Sequence, residues 1–381
     1  MRVVAFGTYD ATAHPRIRVL VDGLRERGVD VRELVEPLGL DTAQRVGMLR
    51  RPWRLPLLAA RLGRRWLTLA RRARRLGRDE WPSHVLVGYL GHFDVLLARV
   101  LFPSATIVLD HLVFAAGTAR DRGVRTGLRT ALLGGLDRLA IAAADVVVTD
   151  TAEHAAQVPP RRRRDTVVVA VGATRAWFDA GSRAATTRTP AAGDPLGVVF
   201  FGLFTPLQGA PVIAEALRLL DRRGVELRAT LVGSGQDAAA VRSILAAIRP
   251  GGTVEVIWLD WVGSAELPDL VAAHDVCLGI FGATSKALAV VPNKVYQGAA
   301  AGCAVVTGDT EPQRRAFGDA AVFVPPADAA ALAEAIAALV DRTGLARARA
   351  AARAAADRFT AHAVVAPLVD AMEPAPAAPG R

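Results

Sequence analysis

Lysine is nearly absent from this chain: it supplies only two of the 47 basic side chains, and both, Lys286 and Lys294, lie in the segment 285–297. Because arginine is the cation everywhere else, a position that keeps lysine is expected to need a compact ammonium that acts as a point charge in a confined pocket. Phosphate groups are common ligands of such a charge. Pro292 and Asn293, directly before Lys294, are typical of a helix start, whose free backbone N–H groups favour an anion. The sequence therefore predicts an anion site here, with chance clustering of the two lysines as the alternative.

Cysteine is scarce as well, and Cys277 and Cys303 are the only two in the chain. Two cysteines make no disulfide framework, and neither they nor the histidines show the spacing of a zinc site, so we expect a reducing, cytoplasmic compartment and no metal. No Asp-x-Asp pair follows a predicted strand, which favours a metal-independent reaction. We also expect no signal peptide, because the first residues enter a strand directly, and no membrane-spanning helix, because no window of about 20 residues is free of charge.

Acidic residues are missing from the stretch 45–78, which holds twelve arginines and accounts for most of the net charge of +10. Leucines and two tryptophans, Trp53 and Trp66, recur in it at roughly helical spacing, which gives an apolar face opposite a basic one. Such a segment suits an anionic membrane surface, with peripheral binding at the inner face of the cell membrane; a solvated arginine-rich helix is the alternative. Nucleic acid is not expected as a partner, because no recognised nucleic-acid motif accompanies the charge.

Short apolar runs rich in β-branched residues recur along the whole chain. Each is typical of a strand buried on both faces of a parallel sheet, and helical stretches rich in Ala, Leu and Arg separate them. The runs are 2–6, 106–109, 146–148, 198–201, 229–232 and 304–306. This alternation predicts an α/β protein with doubly wound sheets, and a length of 381 residues is enough for two cores.

The composition divides the chain into two predicted domains. An N-terminal domain is predicted over residues 1–178, followed by a small, polar, Pro- and Gly-containing linker over 179–195. A C-terminal domain over 196–355 comes next, and residues 356–381 are predicted to form a C-terminal helix and a disordered tail. Each domain is expected to contain a Rossmann-like sheet, of the kind that binds ligands at the carboxyl ends of its strands.

Two glycine-containing turns follow strands of the C-terminal domain. The strand 198–201 ends at Gly202, and its loop runs to Gly209 before a predicted helix over 212–220. A strand that ends in such a turn and opens a helix presents free N–H groups to a phosphate. The next strand ends in the similar run 231–235. Either turn alone is a weak signal, since glycine also occupies sharp turns for steric reasons.

The order of these segments resembles that of nucleotide-sugar glycosyltransferases of the GT-B fold, in particular the retaining enzymes of family 4. The run 201–209 is similar to the family's donor loop Gly-x-x-x-x-x-Lys-Gly, and 231–235 is similar to its Leu-Val-Gly-x-Gly strand end. The run 267–276 resembles its Leu-Pro-x-x-Tyr/Val-x-x-Ala-Asp segment. The run 292–302 resembles the Pro-x-Lys-x-x-Glu-x-x-Ala-x-Gly element that grips the ribose and the diphosphate. The motifs thus follow one another in the family's order over residues 201–302.

The resemblance implies that the C-terminal domain binds a nucleoside-diphosphate sugar as co-substrate, with no metal and no other cofactor. Two positions depart from the family pattern: the loop lysine is Gln208 and the ribose-contacting glutamate is Gln297. Gln297 can still hydrogen-bond to ribose hydroxyls, and Lys286 and Lys294 can supply cations for the leaving diphosphate. The predicted donor-binding residues are Gly202, Thr205, Gln208, Gly209, Gly233, Trp261, Val262, Lys286, Asn293, Lys294, Val295 and Gln297.

The N-terminal domain is expected to bind the acceptor and to face the donor across a cleft. Tyr9 and Arg16 follow the first predicted strand and His92 follows a later one, so these three are the predicted acceptor contacts. The next strand ends in Asp110 and His111, close to where family members often carry a histidine that faces the cleft. His111 is the predicted catalytic residue near the reacting carbon, with Asp110 behind it. A structural hydrogen bond is the alternative role for such a histidine.

The predicted function is transfer of a sugar from a nucleoside-diphosphate sugar to a saccharide or lipid-linked acceptor in cell-envelope or exopolysaccharide assembly, with retention at the anomeric carbon. A nucleotide-sugar epimerase on the same fold is one alternative, and it would need acid/base carboxylates and no acceptor. A non-catalytic relative that binds sugar nucleotides is the other, and the two glutamines favour it. A dinucleotide-dependent dehydrogenase is disfavoured, because no Gly-x-Gly-x-x-Gly follows the first strand.

Overall fold

The computed structural model describes residues 1–11, 14–39, 55–121, 127–187, 193–249 and 251–373. The chain divides into two compact units. The first comprises Met1–Thr118, Arg125–Ala170 and Val364–Arg381, and the second comprises Ala119–Val124 and Val171–Ala363. Each unit contains one six-stranded sheet in which every neighbouring pair of strands runs parallel. The predicted α/β class with two Rossmann-like, doubly wound sheets is confirmed.

The sheet of the first unit has the strand order β2-β1-β3-β4-β5-β6. Its strands are β1 (Arg2–Gly7), β2 (Asp30–Val35), β3 (His84–Val87), β4 (Thr106–Asp110), β5 (Val146–Thr149) and β6 (Thr166–Val168). The helices in this half of the chain are α1 (Pro15–Glu26), α2 (Leu55–Arg74), α3 (Asp94–Leu101), α4 (Ala115–Asp121), α5 (Leu128–Ala143) and α6 (Ala152–Gln157), with 3-10 helices at Arg78–Glu80 and Pro160–Asp165. Because all six strands are parallel, the segments that follow β3, β4 and β5 leave the sheet at the same edge.

The core of the first unit lies between this sheet and the helices packed on it. Alternate residues of the strands, such as Val4 and Phe6 in β1, point into it together with Val95 of α3 and Ile141 of α5. Phe102 closes the cluster and meets the Phe6 ring edge to face, with 5.9 Å between the ring centroids. Burial of these apolar side chains is the main stabilising contribution, at about 25 cal/mol per Å² removed from water.

The sheet of the second unit has the strand order β12-β11-β10-β7-β8-β9. Its strands are β7 (Leu196–Phe201), β8 (Leu227–Val232), β9 (Val254–Leu259), β10 (Val276–Leu278), β11 (Ala304–Gly308) and β12 (Val322–Val324). The helices are α7 (Arg175–Thr187), α8 (Ala210–Arg222), α9 (Ala238–Leu245), α10 (Leu267–Ala272), α11 (Asn293–Ala300), α12 (Glu311–Phe317), α13 (Ala329–Ala338) and α14 (Arg342–Ala356), with 3-10 helices at Ala287–Ala289, Gly318–Ala320 and Asp357–Phe359. The short helices α15 (Ala361–Val364) and α16 (Ala366–Met372) follow.

Helix α8 shows why the sequence folds this way in the second unit. Ile213, Leu217 and Leu220 recur at helical spacing and are all buried in the core, where they pack with Val198 and Phe200 of β7. The helix begins at Ala210, has Pro211 in its first turn, and ends at Arg222. The predicted helix over 212–220 and all six predicted strand runs are therefore confirmed.

The predicted linker is wrong over part of its length. Residues 179–187 form the second half of α7, which packs against α10 and α11. The buried Trp177 of α7 stacks on Phe201. The helix is therefore held to the second unit by an apolar face, which the small residues after it made hard to recognise in the sequence. Residues 188–192 of the predicted linker lie outside the described residues.

The end of the chain also differs from the predicted domain boundaries. The residues from Val364 onward belong to the first unit, and α16 packs on β5 and β6 with Leu368 and Met372 buried. Apart from this C-terminal segment, the first unit ends at Ala170, earlier than the predicted domain boundary at residue 178. The predicted disordered tail falls almost wholly on 374–381, outside the described residues.

The basic segment 45–78 is helical where it is described. Helix α2 covers Leu55–Arg74, and its buried residues Leu69 and Ala73 pack into the core of the first unit. The indole N–H of Trp66 donates a hydrogen bond of 2.8 Å to Oδ1 of Asp94. Trp66 is thus a packing residue and not the surface anchor that its spacing suggested. Residues 45–54, including Trp53, lie outside the described residues.

Among the described residues, no helix is both long enough and apolar enough to cross a lipid bilayer. Helix α2 has 20 residues, but six of them are arginines.

Candidate functional site

The loop that follows β7 has the predicted shape of a strand-to-helix turn. Strand β7 ends at Phe201, and Gly209 is the N-cap residue of α8, with a left-handed φ of +67°. The backbone N–H of Gln208 donates to the carbonyl oxygen of Thr205 within the turn, at 2.8 Å. The turn places the positive end of the α8 dipole at the carboxyl edge of the sheet. Within the first turn of α8, Pro211 has no N–H, and the N–H of Val212 donates to the carbonyl oxygen of Gly209 at 2.9 Å.

Glycine is required at two of these predicted positions. A Cβ added at Gly233 would lie 2.0 Å from the carbonyl oxygen of Gly202, and one at Gly209 would lie 2.6 Å from the backbone nitrogen of Gly282. Gly233 also has a φ of +132°, which L side chains rarely adopt. The loops after β7, β8 and β10 therefore approach one another more closely than any side chain would allow.

Lys294 projects into this group of loops and is buried, with 4% of it exposed. Its Nζ donates a hydrogen bond to Oε1 of Gln208 and lies 3.8 Å from the centroid of the Phe200 ring. A Cβ built on Gly202 would lie only 3.1 Å from the same Nζ. The structure thus brings the predicted residues Gly202, Gln208 and Lys294 together around one ammonium.

Burial changes the protonation of this ammonium. Loss of water lowers the pKa of Lys294 from its ordinary 10.5 to about 7, because the charged form is the one that desolvation penalises. A neutral amide, Gln208, is a weaker compensation than a carboxylate would be. An anion placed beside Nζ would therefore restore the charge of Lys294 and be held by it.

Helix α11 supplies the backbone that carries Lys294. It begins at Asn293, directly after Pro292, and has eight residues. Val295 and Gln297 are both buried on this helix, and their donor contacts remain predictions. A Cβ at Gly298 would lie 2.5 Å from Sγ of Cys277. Helix α11 has small residues here because it approaches β10 closely.

Three other predicted donor contacts lie on loops and remain predictions. Lys286 is half-buried and precedes the 3-10 helix Ala287–Ala289. Trp261 is 83% exposed and Val262 is half-buried, both just after β9. An exposed indole at this edge is available to stack on a flat ring.

A buried polar group at the end of β11 was missed by the sequence interpretation. The hydroxyl of Thr307 donates to Oε1 of Gln313 at 2.6 Å, and Nε2 of Gln313 donates to the carbonyl oxygen of Gly308 at 2.9 Å. The hydroxyl oxygen of Thr310 is buried and has no hydrogen-bond partner among the described residues. The signal was present in the polar run 307–310, which follows the predicted strand 304–306 directly.

In the first unit, Arg16 makes hydrogen bonds that join separate segments, and its contact with the acceptor remains a prediction. Its Nε and Nη2 donate to Oδ1 of Asp110 at 3.2 and 3.1 Å, and its Nη1 donates to the carbonyl oxygens of Val169 at 2.7 Å and Ala170 at 2.5 Å. Arg16 is only 2% exposed. The guanidinium joins α1 to the ends of β4 and β6 and has no free face for a ligand.

Tyr9 is buried as well, and its contact with the acceptor remains a prediction. A Cβ at Gly88 would lie 2.7 Å from Cε1 of Tyr9, so the two glycines Gly7 and Gly88 leave the space that the ring fills. Burial raises the pKa of the Tyr9 hydroxyl well above its usual range. The side chain is a core residue behind the loop after β1.

The predicted catalytic pair is also inaccessible. Asp110 is engaged by Arg16, and burial raises the pKa of its carboxyl in spite of that neighbour. His111 is 2% exposed and lies between His92 and the Phe114 ring, with ring centroids 5.0 and 4.6 Å apart. Both side chains are buried in this structure, and their catalytic roles remain predictions.

His92, the third predicted acceptor contact, is paired inside the unit. Its Nε2 lies 2.9 Å from Oδ1 of Asp137, a carboxylate on α5 that the sequence interpretation did not select because its neighbours are apolar. His111 lies on the other side of the same carboxylate, 3.7 Å from Nε2 to Oδ1. The structure thus brings His92, His111 and Asp137 together from three separate segments, and the contact of His92 with the acceptor remains a prediction.

A comparison with protein families matches residues 195–342 to the family described as glycosyl transferases group 1. The matched segment contains Lys294, Gln208 and the loops around them. A search of curated proteins finds no significant match.

Solved structures with the same fold cover nearly the whole chain. HepE from Anabaena, crystallised in complex with UDP-glucose, is 13% identical, with 97% of this chain and 98% of that chain covered and a TM-score of 0.63. Sucrose-phosphate synthase from Thermosynechococcus elongatus is 14% identical over 94% of each chain, with a TM-score of 0.64. The N-terminal domain of trehalose-6-phosphate phosphatase from Candida albicans is 11% identical over 97% of this chain and 95% of that chain, with a TM-score of 0.66. At these identities the likeness shows the fold, which is GT-B.

Proposed function

We propose that the chain is a glycosyltransferase, because residues 195–342 match the glycosyl transferases group 1 family and the fold of the chain is GT-B. Its substrates and the chemistry of its site are part of the same proposal. The donor is a nucleoside-diphosphate sugar bound by the second unit. The acceptor is a saccharide or a lipid-linked saccharide of cell-envelope or exopolysaccharide assembly. The sugar is transferred with retention at the anomeric carbon, and protein cations take the place of a metal on the leaving diphosphate.

The observation that carries this proposal is the environment of Lys294. The ammonium is held among the loops after β7 and β8, next to Gly202 and Gln208, where an anion would meet both a cation and the N-terminus of α8. In such a water-poor site a cation stabilises developing negative charge more strongly than it does in water. As the sugar leaves, the diphosphate gains charge, and Lys294 is the group positioned to receive it.

Two further features support particular parts of the donor site. Gln297, buried on α11 one turn beyond Lys294, offers an amide to ribose hydroxyls. Trp261, exposed after β9, offers a flat apolar face to the base. UDP is the nucleotide to test first, because the HepE structure contains UDP-glucose and a pneumococcal O-GlcNAc transferase of related fold was crystallised with UDP and GlcNAc.

The basic outer face of α2 supports a membrane-associated acceptor. Arg61, Arg64 and Arg71 are exposed along this helix, and Leu57 and Leu67 are about half exposed beside them. Basic residues near an anionic membrane contribute about 1 kcal/mol each, and exposed leucines add apolar contact. A chain that binds the inner membrane face in this way would meet a lipid-linked acceptor there.

The proposal is tested by measuring the thermal midpoint of the purified chain with UDP, GDP, ADP and dTDP and with their common sugars. A ligand at about 100 times its Kd stabilises the bound protein by about 2.7 kcal/mol, so a selective rise of several degrees is expected. Lys294→Ala should abolish that rise. Arg223→Ala is the matched control, since it removes an exposed cation of the second unit at the opposite end of α8 from the donor loop.

The outcome separates the alternatives. Release of nucleoside diphosphate together with a glycosylated acceptor supports the transferase, and product NMR reads the anomeric configuration. Binding without any turnover would favour the non-catalytic relative that Gln208 and Gln297 suggest. No thermal shift with any nucleotide would overturn the assignment of the donor site.

A further inference from the structure

The group formed by His92, His111 and Asp137 has no place in the proposed transfer reaction. The three residues come from the segment after β3, the end of β4 and the middle of α5, and all three side chains are buried in the first unit. One ring nitrogen of each histidine and a carboxylate oxygen of Asp137 all lie within 4.8 Å of one another. Two imidazoles and one carboxylate form a donor set that suits zinc and other first-row divalent metals.

The measured separations fit a single metal ion between these atoms. Zn–N and Zn–O bonds of about 2.0–2.1 Å at a tetrahedral angle place neighbouring ligand atoms about 3.4 Å apart. Oδ1 of Asp137 lies 2.9 Å from Nε2 of His92 and 3.7 Å from Nε2 of His111. These two distances bracket the required separation, so shifts of a few tenths of an ångström would complete two edges of the site.

A second, independent observation is the unpaired nitrogen of His111. Its Nε2 is buried and has no hydrogen-bond partner among the described residues, and it faces the Asp137 carboxylate. A buried polar atom without a partner costs roughly 1–3 kcal/mol, so it calls for a ligand.

The surroundings of Asp137 hold the carboxylate in place. The backbone N–H of Ala115 donates to Oδ1 at 2.9 Å, and that of Ala116 donates to Oδ2 at 3.3 Å. Hydrogen bonds of this kind orient ligating carboxylates in metal sites. The remaining position on Oδ1 faces His92, where the present hydrogen bond occupies the direction that a metal bond would take.

We propose that His92, His111 and Asp137 form a binding site for one divalent transition-metal ion, with zinc as its first candidate. The ion would join the segment after β3 to the end of β4 and to α5. Its binding free energy would stabilise the first unit, since the site exists only in the folded chain. This is a structural role and is independent of the donor site in the second unit.

The test uses the untagged full-length chain, stripped with EDTA and loaded with Zn²⁺ or Co²⁺. We expect one equivalent of zinc per chain by elemental analysis, a rise in the thermal midpoint on loading, and visible Co²⁺ absorption typical of four- or five-coordinate ions. His111→Gln should weaken zinc binding about tenfold or more. Removing a residue that only hydrogen-bonds to a metal ligand already costs that much, and His111 would bind the ion directly.

His154→Gln is the matched control, because His154 is a buried histidine of the same unit that pairs with Asp150 at 2.5 Å and lies outside the ligand set. It should keep one equivalent. Zinc content that is unchanged in His111→Gln, or a wild-type chain that takes up no metal and gives no Co²⁺ spectrum, would overturn the proposal. The spectrum and the chelator-induced fall in midpoint are read on the wild-type chain, so the test holds even where a variant fails to fold.

Discussion

Lys294 shows how one residue can be both a packing element and a ligand group. Its aliphatic stem and ammonium lie against Phe200, yet its Nζ bonds to Gln208, the residue that replaces the lysine of the family's donor loop. With an amide in that position, one cation near the loop remains instead of two. We infer that the charge of this single ammonium governs how tightly a diphosphate is held.

The first prediction concerns the pH dependence of nucleotide binding. With a pKa of about 7 in the free protein, Lys294 is charged below that pH and loses its proton above it. A diphosphate needs the charged form, so the Kd for UDP should rise as pH increases from 7, by up to about tenfold per unit, until the higher pKa of the bound state is reached. Calorimetric titration between pH 6 and 9 measures this.

Lys294→Met is the control for this prediction, because it keeps the length of the side chain and removes the charge. Its binding should be weaker and nearly independent of pH above 7. A wild-type Kd that stays constant between pH 7 and 9 would show that the free lysine is already fully charged, and the desolvation argument would fail.

At the scale of elements, the site depends on loops that touch through bare backbone. Gly233 and Gly202 meet where the segments after β8 and β7 cross, and any side chain at Gly233 would push them apart. These contacts could not be predicted from the sequence. The motif gave the position of each glycine, but it did not say which backbone atom each one approaches.

We expect Gly233→Ala to destabilise the chain by about 2–4 kcal/mol, from strain at φ +132° plus a clash at 2.0 Å, and to weaken UDP binding with it. Gly224→Ala is the matched control. Its φ of +72° is also unfavourable for alanine, but nothing lies within 4 Å, so it should cost only about 1–2 kcal/mol. Urea unfolding of both variants measures the difference, and equal losses would mean that the clash is absent.

Helix α2 gives a second prediction at this scale. Replacing Arg61, Arg64 and Arg71 with glutamine should reduce binding to anionic vesicles by about a hundredfold at low salt, at about 1 kcal/mol per charge. Vesicle flotation measures this. The triple replacement of Arg161, Arg164 and Arg175, which are exposed elsewhere, removes the same charge and should leave binding nearly unchanged. Equal losses in both variants would indicate a general charge effect.

At the scale of the whole molecule, the sequence predicted the architecture better than the site of the first unit. Buried strands can be recognised as short runs of β-branched residues, and each donor motif consists of residues close together in the sequence. Both could therefore be read in order along the chain. The cluster of His92, His111 and Asp137 joins residues that only the packing of α5 on the sheet brings together. The burial of Arg16 and Tyr9 could not be predicted, because a polar residue after a strand looks the same in the sequence whether it faces solvent or the core.

Two separate cores also predict how the chain unfolds. Each unit has its own apolar cluster, so calorimetry should resolve two transitions. UDP should raise the one that belongs to β7–β12, and zinc should raise the other. Limited proteolysis during heating assigns each transition to its unit. A single transition that both ligands shift equally would mean that the units unfold together.

The placement of α16 affects the order in which the chain matures. This helix completes the first unit by packing on β5 and β6, yet the ribosome makes it only after all of β7–β12. During synthesis the first unit therefore waits with an uncovered apolar surface around β5 and β6 while the second unit emerges. The unit whose synthesis starts first is therefore the one whose folding is completed last. Its uncovered surface around β5 and β6 is a natural place for a chaperone to hold the nascent chain.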